Sequence, residues 1–271
     1  MLPRIRILVL AFALASLGAG TSRALPSLFG GCRDNDFGAP PARFMVVNAA
    51  TGNGTTVGAG VGASYSGFTG LEYDPPTAKF YAILQTTAGV HVLATIDEVT
   101  GLATTIGALG TSGLPFDLAF GPGGTLYTNL AGGANTLHTI NKTTGALSPP
   151  IGSLGRSVAG LTFDNLGTLY GVDLDNSALL TIDPATAAVL TSTPAIGPIT
   201  LTRGLCFAEG KLWGADGGSN SFLLTIDRAT ALVTVIGPTN QPHTQALAVK
   251  TDRPVGTKPS TWGRIKALFR P

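Results

Sequence analysis

Residues 160–197 read GLTFDNLGTLYGVDLDNSALLTIDPATAAVLTSTPAIG. Four short apolar runs are separated by Asp, Asn, Gly, Pro and Thr, the residues that close tight turns. The unit recurs along the chain. Its most regular mark is an Asp or Asn followed three residues later by Thr, at Asn48/Thr51, Asp97/Thr100, Asn141/Thr144, Asp183/Thr186 and Asp227/Thr230. The spacings between these marks are 49, 44, 42 and 44 residues. A period in the low forties that holds four short strands is the signature of a β-propeller blade.

Working outward, the first run of each unit falls at residues 70–74 (GLEYD), 116–120 (FDLAF), 160–164 (GLTFD), 204–208 (GLCFA) and 245–249 (QALAV). Leu71/Tyr73, Leu118/Phe120, Leu161/Phe163 and Leu205/Phe207 alternate at period two, as a strand does when one face packs on a neighbouring sheet. A second run follows at Phe80-Tyr81, Leu126-Tyr127, Leu169-Tyr170 and Leu212-Trp213, but none follows the fifth first run. The missing partner lies at the other end, where Ser27-Leu28-Phe29-Gly30 matches Thr168-Leu169-Tyr170-Gly171. The expectation is an all-β, five-bladed propeller of four-stranded antiparallel blades. The N-terminus supplies strands two to four of one blade and the C-terminus supplies its first, which closes the ring and removes exposed sheet edges. The repeated Asp/Asn and Thr marks read as turn chemistry rather than function.

Composition suits this reading. The chain has 271 residues, 44% of them hydrophobic and only 12% charged, with 37 Gly and 18 Pro. The formal net charge of +2 conceals an uneven distribution. Basic residues crowd both ends, whereas residues 25–252 hold nine Lys and Arg against fifteen Asp and Glu. That acidic body offers no basic stripe to replace phosphate counterions, which excludes nucleic acid as a partner.

The chain divides into three. Residues 1–24 read as an export signal, with Arg4 and Arg6 ahead of the uncharged residues 7–20 and small residues before a cleavage point after Ala24. Residues 25–253 form the propeller. Residues 254–271 are a linker and a short basic amphipathic tail, with Trp262, Ile265 and Phe269 on one stripe and Arg264, Lys266 and Arg270 around it. The tail is a docking or membrane-surface device for envelope attachment, a frayed terminus, or a staple under the propeller. Export places the protein in the extracellular space, the periplasm or at the cell surface, and the expected state is a monomer. The two cysteines, Cys32 and Cys206, either form one disulfide in such a compartment or stay as thiols.

The stretches Leu169-Tyr-Gly-Val-Asp173-Leu-Asp-Asn176 and Leu212-Trp-Gly-Ala-Asp216-Gly-Gly-Ser-Asn220 resemble the NHL-type propellers and their YVTN-type and gluconolactonase-like relatives. The resemblance covers about residues 25–252. Leu84 and Leu130 depart from it where the pattern has Asp. It implies that the Gly-Leu-x-Phe strand is innermost. It also implies that any lactonase-like metal site would lie on the channel-facing strands. There Glu72 meets only Ala119, Thr162, Cys206 and Ala248 at matching places, which ligate such a metal poorly.

A ligand is expected at the mouth of the central channel. Tyr65, Arg156, Arg203, His243 and Gln245 are the candidate binding residues, because loops leading into the innermost strands bring them to one face. Arg forks suit a small anionic ligand, with a glycan or a protein as further partners. Asp173, Asp175 and Asn176 have the alternating oxygens of a calcium loop, as do Asp34 and Asp36, although turn capping explains both sets. No other cofactor is expected. The function that follows is a non-catalytic binding module. A lactonase- or lyase-like enzyme and a structural envelope protein are the alternatives.

Overall fold

The computed structural model describes residues 25–33, 41–132, 135–197 and 202–251. The segment expected to be an export signal, the Asp34/Asp36 cluster and the expected C-terminal tail lie outside the described residues.

Twenty strands form five four-stranded antiparallel sheets. The chain opens with β1 (Ser27–Cys32), β2 (Arg43–Val47) and β3 (Gly54–Thr56). The first complete blade is β4 (Tyr65–Asp74), β5 (Lys79–Thr86), β6 (His91–Ile96) and β7 (Ala103–Ala108). The second is β8 (Leu114–Phe120), β9 (Leu126–Ala131), β10 (Thr136–Ile140) and β11 (Gly152–Ser153). The third is β12 (Val158–Phe163), β13 (Leu169–Asp173), β14 (Ala178–Ile182) and β15 (Val189–Pro194). The fourth is β16 (Thr202–Ala208), β17 (Lys211–Asp216), β18 (Phe222–Ile226) and β19 (Val233–Pro238), and the chain ends in β20 (Thr244–Lys250).

The fifth sheet has the order β20-β1-β2-β3. Leu28 pairs with Val249 on one side and Val47 on the other, so the two ends of the chain share one blade. The inner strands β4, β8, β12, β16 and β20 touch in sequence and close the ring. Their apolar faces fill the spaces between blades. Phe29, Phe44, Phe80 and Tyr73, for example, stack where the split blade meets the first, with ring centroids 4.6–5.4 Å apart.

The repeated polar marks are turn caps. Asp97 Oδ1 accepts from the amides of Val99 and Thr100 and from Thr100 Oγ1, and Asp227 does the same with Ala229 and Thr230. Four of the five turns pack on a glycine in or just past the outer strand of the preceding blade, the carbonyls of Thr51, Thr100, Thr144 and Thr186 lying against Gly237, Gly58, Gly107 and Gly152. A β-carbon at Gly107 would lie 2.0 Å from Thr144 O, which explains why that place repeats as glycine. At the C-terminal ends of β4 and β12, Asp74 and Asp164 pair with Lys142 and Arg228, which lie in two of these turns on the next blade, at 3.0 and 2.8 Å.

Candidate functional site: the channel mouth

Each inner strand carries a β-bulge near its entry. Pairing skips Thr69 between β4 and β5, Gly160 between β12 and β13, Arg203 between β16 and β17, and Gln245 between β20 and β1. In the second blade Phe116 and Asp117 together oppose one residue of β9. A bulge leaves its extra residue outside the ladder and re-aims its side chain. Aligned on the Leu that follows, Thr69, Phe116, Ala159, Arg203 and Gln245 occupy one structural position, one from each blade; four of them belong to the bulge, whereas Ala159 stays in the ladder opposite Val172 and Gly160 is the residue skipped.

Four of these five line a cavity of about 180 Å³, together with Arg33, Gly67, Phe68, Gln85, Leu114 and Pro115. The Arg203 guanidinium lies 5.3 Å above the Phe116 ring. Its stem rests where a β-carbon on Gly217 would lie 2.8 Å from Cδ. With the Gln245 amide nitrogen turned to Phe68 O at 3.2 Å, its oxygen accepts from Arg33 Nε at 3.2 Å and Nη2 at 2.9 Å. Thr69 Oγ1 is buried and has no hydrogen-bond partner among the described residues. Burial, and then the Arg33 guanidinium, draw the Arg203 pKa below its ordinary value.

Asp117 follows Phe116 in the bulge of the second blade and is fully buried. Its place is glycine in three other blades (Gly70, Gly160, Gly204) and Ala246 in the fifth. Those small residues let the inner strands approach closely. A β-carbon at Gly204 would lie 2.5 Å from Leu247 N, and one at Gly70 would lie 2.9 Å from Leu118 N. The carboxylate of Asp117 accepts at Oδ1 from Leu118 N (2.9 Å) and at Oδ2 from Leu161 N (2.9 Å) and Leu205 N (3.1 Å). It thereby ties the second blade to the third and fourth. Burial pushes its pKa well up against the pull of these three amides, and Glu72 adds to the rise. Glu72 is buried too and is pushed up to about 8, mainly by burial, while the Tyr73 and Phe120 amides oppose the shift. Asp117, two places before Ala119 in the second blade, thus joins Glu72 as a buried acidic residue on an inner strand.

Of the residues expected from sequence, Arg203 and Gln245 meet at the mouth. Tyr65 instead packs in the first blade and bonds Thr105 Oγ1 at 2.6 Å. Arg156 is held 2.9 Å from Asp173. His243 is buried against the loop of the fourth blade, its Nδ1 3.3 Å from Gly217 O. Arg33 and Phe116 were not expected. Phe116 stands in a repeat column that differs in every blade, and that variation was the available signal. Arg33 lies just past β1 in the split blade, where no repeat counterpart marks it.

Asp173, Asp175 and Asn176 form a capped turn. Asp173 Oδ1 accepts from the amides of Asp175 and Asn176, and its Oδ2 accepts from Asn176 Nδ2 and Arg156. The Arg156 guanidinium stands where a cation would, and among the described residues no group of three His, Cys, Asp or Glu is placed to hold a metal ion. No disulfide joins Cys32 to Cys206; both side chains are buried as thiols in one apolar cluster with Trp213 and Leu247.

Residues 38–204 match the family model described as a repeat of unknown function (DUF6923), and the chain belongs to that family. No curated protein matches it. Among solved structures, the glutaminyl cyclase of Myxococcus xanthus is 17% identical, with a TM-score of 0.50 over 75% of each chain. The gluconolactonase XC5397 of Xanthomonas campestris is 14% identical, with a TM-score of 0.51 over 80% of this chain and 78% of that one. TolB of Acinetobacter baumannii is 13% identical, with a TM-score of 0.50 over 79% of this chain and 53% of its own. These neighbours include enzymes and share the propeller fold with this chain. The expected likeness to gluconolactonase-like propellers holds at that level.

Proposed function

We propose that the protein is an exported, non-catalytic binding module whose ligand sits in the channel mouth. The observation that carries this reading is the bulge position. The leucines that follow it repeat, whereas the side chains that it brings to the mouth are Thr69, Phe116, Arg203 and Gln245, with the small Ala159 at the same place in the third blade. A rigid repeat scaffold with divergent side chains at one mouth is the arrangement of a recognition site. The basic residues and apolar run of the first 24 residues support export.

A screen of labelled glycans, proteins and metabolites against the full chain tests this reading, alongside Phe116→Ala and Lys211→Ala, the latter an exposed residue at the start of β17. Loss of a ligand in Phe116→Ala alone supports the mouth. Loss in Lys211→Ala alone would move the site to the face opposite the mouth.

A lactonase- or lyase-like enzyme is the competing reading. It is favoured by Glu72, whose raised pKa suits general acid–base work. Its requirement is turnover that disappears in Glu72→Gln. In our reading the oxygens of Glu72 and Asp117 serve the backbone amides of the packed inner strands.

A further inference from the structure

We infer that the mouth holds the carboxylate of a small organic acid between the guanidinium groups of Arg33 and Arg203. The inference rests on the mouth being the binding site and adds the class of ligand.

The charges are unevenly satisfied. Lys142, Arg156, Arg228 and Lys250 each close on a carboxylate, those of Asp74, Asp173, Asp164 and Glu98. Arg33 and Arg203 share one cavity instead, and among the described residues neither has a carboxylate within ion-pair distance. Two like charges in a partly buried cavity repel each other and have each lost water, and an anion between them relieves both costs. In a body with fifteen acidic and nine basic residues, such a pair marks a place of opposite sign.

The donors are held in place before any ligand arrives. Arg203 is fixed by the Phe116 ring and Gly217, and Arg33 by the Gln245 oxygen. A planar guanidinium matches the two oxygens of a carboxylate. Thr69 Oγ1, buried in the same wall, is a third donor awaiting an acceptor.

Size and lining narrow the class further. At about 180 Å³ the cavity holds the volume of roughly six waters. That is too small for a polyanion, and the acidic body repels one. Phe68, Leu114, Pro115 and Phe116 give it apolar walls, which a bare inorganic anion leaves wet and a short apolar or planar acid covers.

The test is calorimetric titration of the full chain at low ionic strength with benzoate, with benzamide as its uncharged counterpart and with sulfate. The expected result is one benzoate per chain and no binding of benzamide. Affinity should fall at least about tenfold in Arg203→Gln and in Arg33→Gln, with Lys211→Gln unchanged. Near-ultraviolet circular dichroism checks that each variant is folded. Equal binding of benzamide, indifference to both arginine substitutions, or sulfate binding without benzoate binding would each overturn the inference. Asp34 and Asp36 follow Arg33 in the sequence, so the titration is repeated in Asp34→Asn/Asp36→Asn. Benzoate binding confined to that variant would mean that the chain's own carboxylates fill the site, which also overturns it. If a screened glycan or protein depends on Phe116 while benzoate fails, the mouth stands and the ligand class falls.

Discussion

Asp117 accepts a hydrogen bond at Oδ2 from the amide of Leu205, 3.1 Å away and 88 residues on in the chain. The same oxygen serves Leu161, so one side chain stands where other blades have glycine and links three inner strands. Asp117→Ala leaves three buried amides without their acceptor and should cost about 1–3 kcal/mol or more. Asp117→Asn keeps the shape but sets amide hydrogens against amide donors, and it should be nearly as harmful. Urea midpoints decide this. An Asn variant as stable as the parent would show that the two oxygens do not both act as acceptors.

Glu72 should make stability depend on pH in the sense opposite to a surface ion pair. Its pKa rises from 4.5 to about 8 on folding. The unfolded chain therefore gives up this proton first, as pH rises. The contribution is fully present below about pH 4.5 and is lost progressively up to about pH 8. Asp117, also raised, acts in the same sense. Glu72→Gln should flatten the profile and raise stability at pH 9 by an amount on the order of a few kcal/mol. An unchanged midpoint at pH 9, or a loss confined to acid, would contradict this.

Gly204 is a close-approach position. A β-carbon there would meet Leu247 N at 2.5 Å and Ala246 C at 2.6 Å, both backbone atoms that cannot rotate aside. Gly204→Ala should cost about 1–3 kcal/mol by overpacking the channel. Thermal melts test this, and a melting temperature within error of the parent would mean that the strands are further apart.

Cys32 and Cys206 should behave as two shielded thiols. Burial raises the Cys206 pKa well above its ordinary value, and Glu72 and Asp117 add to the rise. Alkylation without reductant should add nothing to the folded protein and two groups to the unfolded one, read by intact mass. No adduct after unfolding would reveal a disulfide.

Much of the fold was legible because strand alternation and turn chemistry are local properties. Leu161/Phe163 and Asp183/Thr186 are read within a few residues, and the match of residues 27–30 to 168–171 gave the split blade directly. The mouth was less legible, because it depends on where a ladder skips a residue. Nothing in the composition of residues 202–204 announces that Arg203 falls outside the pairing. Arg156 looked equivalent to Arg203 in sequence, yet it is tied 2.9 Å from Asp173 because the β12 entry faces the end of β13. The divergent column at 69, 116, 159, 203 and 245 is visible as variation, but only the bulges of four blades bring Thr69, Phe116, Arg203 and Gln245 to one cavity.

The most direct test of the account follows the arginine Nε–H resonances of the full chain by nitrogen-15 NMR while benzoate is added. Ligand in the mouth predicts that Arg33 and Arg203 shift together and saturably, while Arg156 and Arg228, held by Asp173 and Asp164, stay in place. Shifts at Arg156 or Arg228 with Arg33 and Arg203 unmoved would place the ligand elsewhere and contradict the account.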